Sequence, residues 1–494
     1  MIDILHTRRA GLLLHITSLP GAEQNGCLGK EAHRFIDFLH DLGITVWQTL
    51  PLNAPHEDNS PYQSLSAHAG NPALIDLDWL VDKGWLNKNE RCQDCGGSPQ
   101  FTRCCRLTKA YHGFKITGKP QDQRHFDVFC QQQAFWLEDY ALFMALKHEF
   151  SNKPWNLWPA PYRLRDPETL SAARSRLKIE QETIKFEQFV FFSQWQELRN
   201  HASHKGVLLF GDIPIFVSYD SADVWMHPEV FKLNEQGEMM VVAGVPPDYF
   251  SATGQRWGNP HYNWEHLENN HFQWWQERMR TQIELFDIVR IDHFRGLEAA
   301  WEIPANESTA INGQWVEAPG QNLLTTLFEA LGPIPLVAED LGVITPEVEA
   351  LRDQFGLPGM KILQFAFSGE ASNPYLPGNF DHNCVVYTGT HDNNTTLGWY
   401  QSLTEAERAF VHDYLGEQCT NTMPFILVRL ALASVANLAI IPMQDLLELD
   451  AEHRMNTPGT SYGNWHWRFD WEQVKPEQCQ RLKHAIELFR RNPL

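Results

Sequence analysis

Short, almost unbroken apolar runs recur along the chain, at residues 11–16, 45–50, 206–213, 285–292, 334–339, 360–367, 384–388 and 438–443, each bounded by turn-forming residues. A strand with one wet face alternates apolar and polar positions. A run that is apolar at nearly every position is covered on both faces, which marks a parallel sheet. Helical periodicity lies between several of the runs. Residues 31–42 carry Phe35, Ile36, Phe38, Leu39 and Leu42 on one face, with Gly43 as the stop. Strands interleaved with helices in this way predict an α/β chain folded as a (β/α)8 TIM barrel. A doubly wound sheet is the alternative, but no GxGxxG follows an early strand.

The spacing of the runs is uneven. It predicts one barrel over 1–494 with insertions on its βα loops: a subdomain at 53–205, a second insertion at 218–284 and a smaller one at 296–333. Within the second, 244–260 is rich in turn residues: Gly244, Pro246, Pro247, Gly254, Gly258 and Pro260. No repeat or low-complexity tract appears.

Several runs end on a carboxylate. Asp212, Asp292 and Glu339 close their strands, and Asp392 follows residues 384–388 after a short turn. One Asp at a strand end is as readily a helix cap. Four acids at four strand ends, with Arg290 and His391 beside them, point to a cluster at the catalytic face of a barrel. Arg290 and Asp292 are two apart and share a face, so the guanidinium favours the ionised carboxylate. Paired carboxyls are what glycoside chemistry uses.

Composition narrows the partners. The net charge is −21, which opposes a phosphate backbone but leaves a neutral glucan free to bind. The chain holds 18 Trp, 12 Tyr and 29 Phe, more rings than a sugar cleft needs, and most fill the core. Trp274, Trp275 and the stretch 186–195 have helical spacing and read as packing. The N-terminus shows no secretory h-region, and no apolar run is long enough to span a membrane. With nine scattered cysteines the expectation is a cytoplasmic protein with no membrane and no nucleic-acid partner. Asn306 and Asn393 open chance glycosylation motifs. Cys92, Cys95, Cys104 and Cys105 have zinc-like spacing. Adjacent Cys104 and Cys105 do not both face one tetrahedral ion on a regular backbone, so they read as thiols in an insertion loop, with no metal.

Long motifs carry a resemblance over nearly the whole chain. They are Arg9-Ala-Gly-Leu-Leu-Leu-His-Ile-Thr-Ser-Leu-Pro-Gly21, Trp47-Gln-Thr-Leu-Pro-Leu52, Ser60-Pro-Tyr-Gln-Ser64, Ala69-Gly-Asn-Pro72 and Gly211-Asp-Ile-Pro-Ile-Phe-Val217. The segment from Gly244 to Pro260, Arg454-Met-Asn-Thr-Pro-Gly-Thr460 and Gly463-Asn-Trp-His-Trp-Arg468 complete the set. In these the chain resembles the amylomaltases, or 4-α-glucanotransferases (disproportionating enzymes), of glycoside hydrolase family 77, in the α-amylase superfamily.

The resemblance implies a retaining double displacement with Asp292 as nucleophile, Glu339 as general acid/base and Asp392 as the third carboxylate. It makes Arg290, His391 and Asp212 contacts to the sugar at the cleavage subsite. It makes Ser60, Tyr62, Trp257, Asp340, Gly463 and Asn464 cleft positions, and 244–260 a lid. It implies α-1,4-glucans (maltooligosaccharides, starch, glycogen) as substrates, glucose among the acceptors, and no cofactor. A retaining pair stands about 5–5.5 Å apart, one member ionised and the other protonated. Glu57 stands where some relatives carry a Tyr of a second glucan site, and Ala252 where some carry an acid in the lid. The rival readings are a hydrolase on the same barrel and a non-catalytic glucan binder.

Overall fold

The computed structural model describes residues 4–21, 23, 25–92, 99–247, 251–416, 422–460 and 462–493. In chain order its strands are β1 (Arg9–Leu13), β2 (Val46–Gln48), β3 (Leu208–Pro214), β4 (Val241–Val245), β5 (Gln255–Pro260) and β6 (Ile288–Asp292). They continue with β7 (Ala299–Pro304), β8 (Gln314–Glu317), β9 (Leu336–Ala338), β10 (Gly359–Ile362), β11 (Cys384–Tyr387) and β12 (Leu438–Pro442). Each apolar run holds one strand of an eight-stranded parallel sheet, ordered β10-β11-β12-β1-β2-β3-β6-β9. The 360–367 run is cut short because the chain turns into a 3-10 helix at Leu363–Phe365. The two ends of the sheet meet where the Ala338 N–H donates to Pro358 O at 2.9 Å. The sheet is a nearly closed TIM barrel.

Alternation along the strands sorts the barrel into layers. Val46, Phe210, Ile288, Val337, Met360, Val385 and Leu438 form an apolar plug inside it. Their neighbours Trp47, Leu209, Val289, Leu336, Val386 and Ala439 face outward into the larger core beneath the helices. Burying one such side chain contributes about 1.5–3 kcal/mol. Two residues further along, the same inward positions hold Gln48, Asp212, Arg290 and Tyr387, whose hydroxyl donates to Gln48 Oε1 at 2.9 Å. A polar layer therefore lies directly on the apolar one, at the C-terminal mouth. The helix Lys30–Leu42 covers the outside through Phe35, Ile36, Leu39 and Leu42 and stops at Gly43, whose φ of 76° is left-handed.

The insertions correct the sequence-based picture. Every element described within 72–204 is a helix, and the last, Lys178–His204, is followed after a short turn by β3. Phe114, Phe186 and Trp85 meet there ring to ring, and Trp274 and Trp275 are buried; these aromatics are packing. The second and third insertions are not separate. β4 and β5 come from one, β7 and β8 from the other, and they pair as a single antiparallel sheet ordered β5-β4-β7-β8. The segment 244–260 is consequently a hairpin whose arms belong to a sheet, rather than a loop throughout; its residues 248–250 lie outside the described residues. Cys104 and Cys105 sit in the helix Pro99–Thr117, not in a loop, where successive side chains point about 100° apart. Cys95 lies outside the described residues. Among the described residues no cluster of His, Cys, Asp and Glu is arranged to hold a metal, and no helix is long and apolar enough to cross a membrane.

Candidate active site

Strand register assembles the site. β6 pairs with β9 as Ile291↔Ala338, so Asp292 and Glu339, one step further on, stand side by side on strands about 4.8 Å apart. β3 lies on the other flank of β6, with Asp212↔Arg290 in register. Arg290 Nε donates to Asp212 Oδ1 at 2.9 Å, and its guanidinium also donates to Asp292 Oδ1. The Tyr62 hydroxyl donates to the free oxygen of Asp212 at 2.7 Å. Burying Arg290 without partners would cost several kcal/mol; with two carboxylates it stays charged, held well above its ordinary pKa. The side chain of Asp292 keeps 31% exposure, against 4% for Arg290, so the nucleophile candidate alone of this trio reaches the cleft.

Glu339 lies in a different field. Its Oε2 accepts the backbone N–H of His293 at 2.7 Å, while the Phe294 N–H bonds to its backbone oxygen at 3.0 Å. Burial, then the charge of Asp292, push its carboxyl up to about 8, against the pull of Arg290 and the His293 N–H. Burial also raises Asp292, to about 6, with Arg290 opposing and Asp212 and Asp392 reinforcing. Between those values Asp292 is ionised and Glu339 protonated.

Asp392 completes the group from the loop after β11. Its Oδ1 accepts from Asn456 Nδ2 at 2.6 Å, and His391 Nε2 stands 3.3 Å from Oδ2. Burial alone would raise its pKa; His391, Asn456 and Arg290 more than offset this and hold it well below the usual carboxylate range. The ring of Tyr62 stacks on His391 with centroids 5.2 Å apart, and Trp465 stands 6.0 Å from each. Across the mouth, Trp257 on the hairpin meets the ring of His293 edge-on at 4.8 Å.

Asp212, Arg290, Asp292, Glu339, His391, Asp392, Tyr62 and Trp257 thus converge. Ser60 shapes the turn before Tyr62, its N–H bonded to Asp58 Oδ1 at 3.1 Å. Gly463 turns at φ 79°, and Asn464 accepts the Thr457 N–H at 3.0 Å, bracing the strap that brings Trp465 in. Asp340 is set apart. Its carboxylate faces the β9–β10 seam, where it accepts the Met360 N–H at 2.7 Å and pairs with Arg352 at 2.5 Å. Sequence reasoning missed Gln48, Tyr387, His293, Arg454, Asn456 and Trp465. Of these, Gln48 and Tyr387 were findable, as polar groups on inward positions of strands.

A family model described as 4-alpha-glucanotransferase, glycoside hydrolase family 77, matches residues 14–473. The chain belongs to that family. The 4-alpha-glucanotransferase of Thermus thermophilus is 50% identical, over 97% of this chain and 98% of its own. That of Synechocystis sp. is 47% identical over 99% of both. An amylomaltase from Streptococcus agalactiae, solved in complex with acarbose, superposes with a TM-score of 0.94 at 38% identity, covering 98% of this chain and 100% of that one. As a family 77 member the chain is a 4-α-glucanotransferase on a TIM barrel.

Proposed function

We propose that Asp292 and Glu339 carry the double displacement by which this 4-α-glucanotransferase moves α-1,4-glucan segments. Ionised Asp292 attacks the anomeric carbon of the donor while Glu339 gives its proton to the departing 4-oxygen, leaving a glycosyl ester on Asp292. The 4-hydroxyl of a second chain, or of glucose, then attacks that carbon. Glu339 takes the hydroxyl proton, Asp292 departs as carboxylate, and the linkage is α again. Arg290 keeps Asp292 anionic and aligned. Asp392, held anionic by His391 and Asn456, faces the positive charge that develops on the sugar ring. Trp257 and the hairpin that bears it cover the cleft and disfavour water as acceptor.

The observation that carries this reading is the side-by-side setting of two carboxyls whose surroundings separate their proton affinities. Soluble maltooligosaccharides, starch and glycogen are the proposed donors. A reducing cytoplasm is the proposed setting, supported by described cysteines that form no disulfide.

The decisive experiment uses Glu339→Gln with α-maltosyl fluoride, whose fluoride leaves without an acid. A maltosyl adduct on the peptide containing Asp292, found by mass spectrometry, is the expected result. An adduct elsewhere, or none with full turnover of native enzyme on the same donor, overturns the assignment. Maltotriose then separates transfer from hydrolysis: transfer makes a ladder of longer oligomers, whereas a hydrolase makes only glucose and maltose.

A further inference from the structure

The loop of residues 389–395, which carries His391 and Asp392, leaves β11 at Thr388 and enters the helix Thr396–Ser402. Both of its ends converge on one side chain. Asp445, in the short helix Met443–Leu446 after β12, accepts the Thr388 hydroxyl on Oδ2 at 2.5 Å and the Thr396 hydroxyl on the same oxygen at 2.6 Å. Its Oδ1 accepts the Thr396 N–H at 2.8 Å. Thr388 and Thr396 are 0% exposed and Asp445 2%. Hydroxyl-to-carboxylate bonds this short are charge-assisted and among the stronger hydrogen bonds proteins make.

Helix capping alone does not account for this. A cap satisfies the first amide of its helix, and the Thr396 N–H is such a contact. Thr388 is the residue that directly follows β11, at the opposite end of the loop from Thr396, so Asp445 ties the two ends of the loop together. Further along, the same connection after β12 supplies Asn456, which holds Asp392 Oδ1, and Arg454, which donates to Asp392 O at 2.9 Å. The loop is gripped at its base and at its tip by one segment.

We infer that Asp445 is a positioning residue for the transfer reaction, fixing the loop so that Asp392 meets the reacting sugar. The inference rests on the role proposed above for Asp392. Asp445 touches no substrate atom. Its effect comes through the placement of Asp392, and a misplacement of about 1 Å at such a group costs about 10²-fold in rate.

The test is built on near-isosteric changes, because Asp445→Ala leaves three buried donors unpaired and endangers folding. Thr388→Val and Thr396→Val each remove one hydroxyl, and Thr388→Ser and Thr396→Ser keep it. Turnover of maltotriose is measured in folded protein, with kcat and KM separated. Each Val variant is expected to lose kcat tenfold or more with KM little changed, and each Ser variant to recover most of that loss. Combined with Asp392→Asn, the Val changes are expected to add little, since the group they position has lost its charge.

Val variants within two-fold of native kcat overturn the inference, as do Ser and Val variants that behave alike. A full additional loss in the Asp392→Asn background also overturns it. Near-native turnover by Asp392→Asn alone removes the role of Asp392, and this inference with it. An inactive Asp392→Asn beside normal Val variants removes this inference only.

Discussion

The His293 N–H donates to Glu339 Oε2 at 2.7 Å, so the residue that follows Asp292 also orients its partner acid. His293 reaches that position with a left-handed φ of 53°, a conformation a non-glycine residue adopts at some cost. The peptide joining residues 292 and 293 therefore couples the two carboxyls: moving one moves the other.

The first expectation is a bell-shaped pH dependence of kcat/KM on maltotriose. The proposed double displacement needs Asp292 ionised and Glu339 protonated. It falls below about 6 as Asp292 takes a proton, and above about 8 as Glu339 loses its own. With α-maltosyl fluoride as donor, formation of the glycosyl ester by Glu339→Gln is expected to keep the acid limb and lose the alkaline one. An alkaline limb that survives the substitution assigns it to another group.

Asp340 distinguishes a substrate contact from a structural clamp. A Cβ on Gly359 would sit 2.2 Å from Asp340 Oδ2, so the seam closes only around glycine. Asp340→Ala strands the Met360 N–H and leaves the Arg352 guanidinium with only the exposed Asp353 as carboxylate partner, and is expected to lower stability by about 3 kcal/mol. Gly359→Ala is expected to act in the same direction by displacing the carboxylate. Chemical denaturation measures both. A raised KM with unchanged stability would instead return Asp340 to the cleft.

Glu187, buried in the helical insertion, is pushed up to about 8, by burial first and against the weaker pull of Arg103. The folded protein keeps this proton where the unfolded chain, with an ordinary Glu, releases it. Its contribution to stability is complete below about 4.5, falls as pH rises and is fully lost above about 8, a change of a few kcal/mol. Glu187→Gln is expected to raise the melting temperature at pH 9 and to leave it nearly unchanged at pH 4. Equal shifts at both values would contradict this.

Arg491 is fully buried and bonded to the main-chain oxygens of Leu432, Arg9, Asn437, Ala431 and Ser434, with the Ser434 hydroxyl oxygen as a further acceptor at 3.4 Å. It seals the N-terminal face of the barrel, between the starts of β1 and β12 and the end of the helix Phe425–Ala433. Arg491→Met is expected to cost about 3 kcal/mol or more, with kcat at low temperature unchanged because the site is at the opposite face. A lower kcat in fully folded protein would show coupling through the barrel.

The barrel strands could be recognised in the chain itself because burial on both faces demands apolar residues at consecutive positions, a demand each segment meets alone. The acids were legible for a related reason. At the ends of such runs an inward position that is charged has no packing explanation, and Asp212, Arg290, Asp292 and Glu339 all stand there. What the chain could not reveal was adjacency. That β6 lies between β3 and β9 brings Asp212, Arg290, Asp292 and Glu339 together. That two insertions share one sheet places Trp257 against His293. Asp340 and Asp445 look alike in the sequence, as acids after apolar strands, yet one clamps a seam and the other ties a loop. Those choices depend on register between segments far apart in the chain, as with Gln48 and Tyr387, and only closing the barrel makes such partners neighbours.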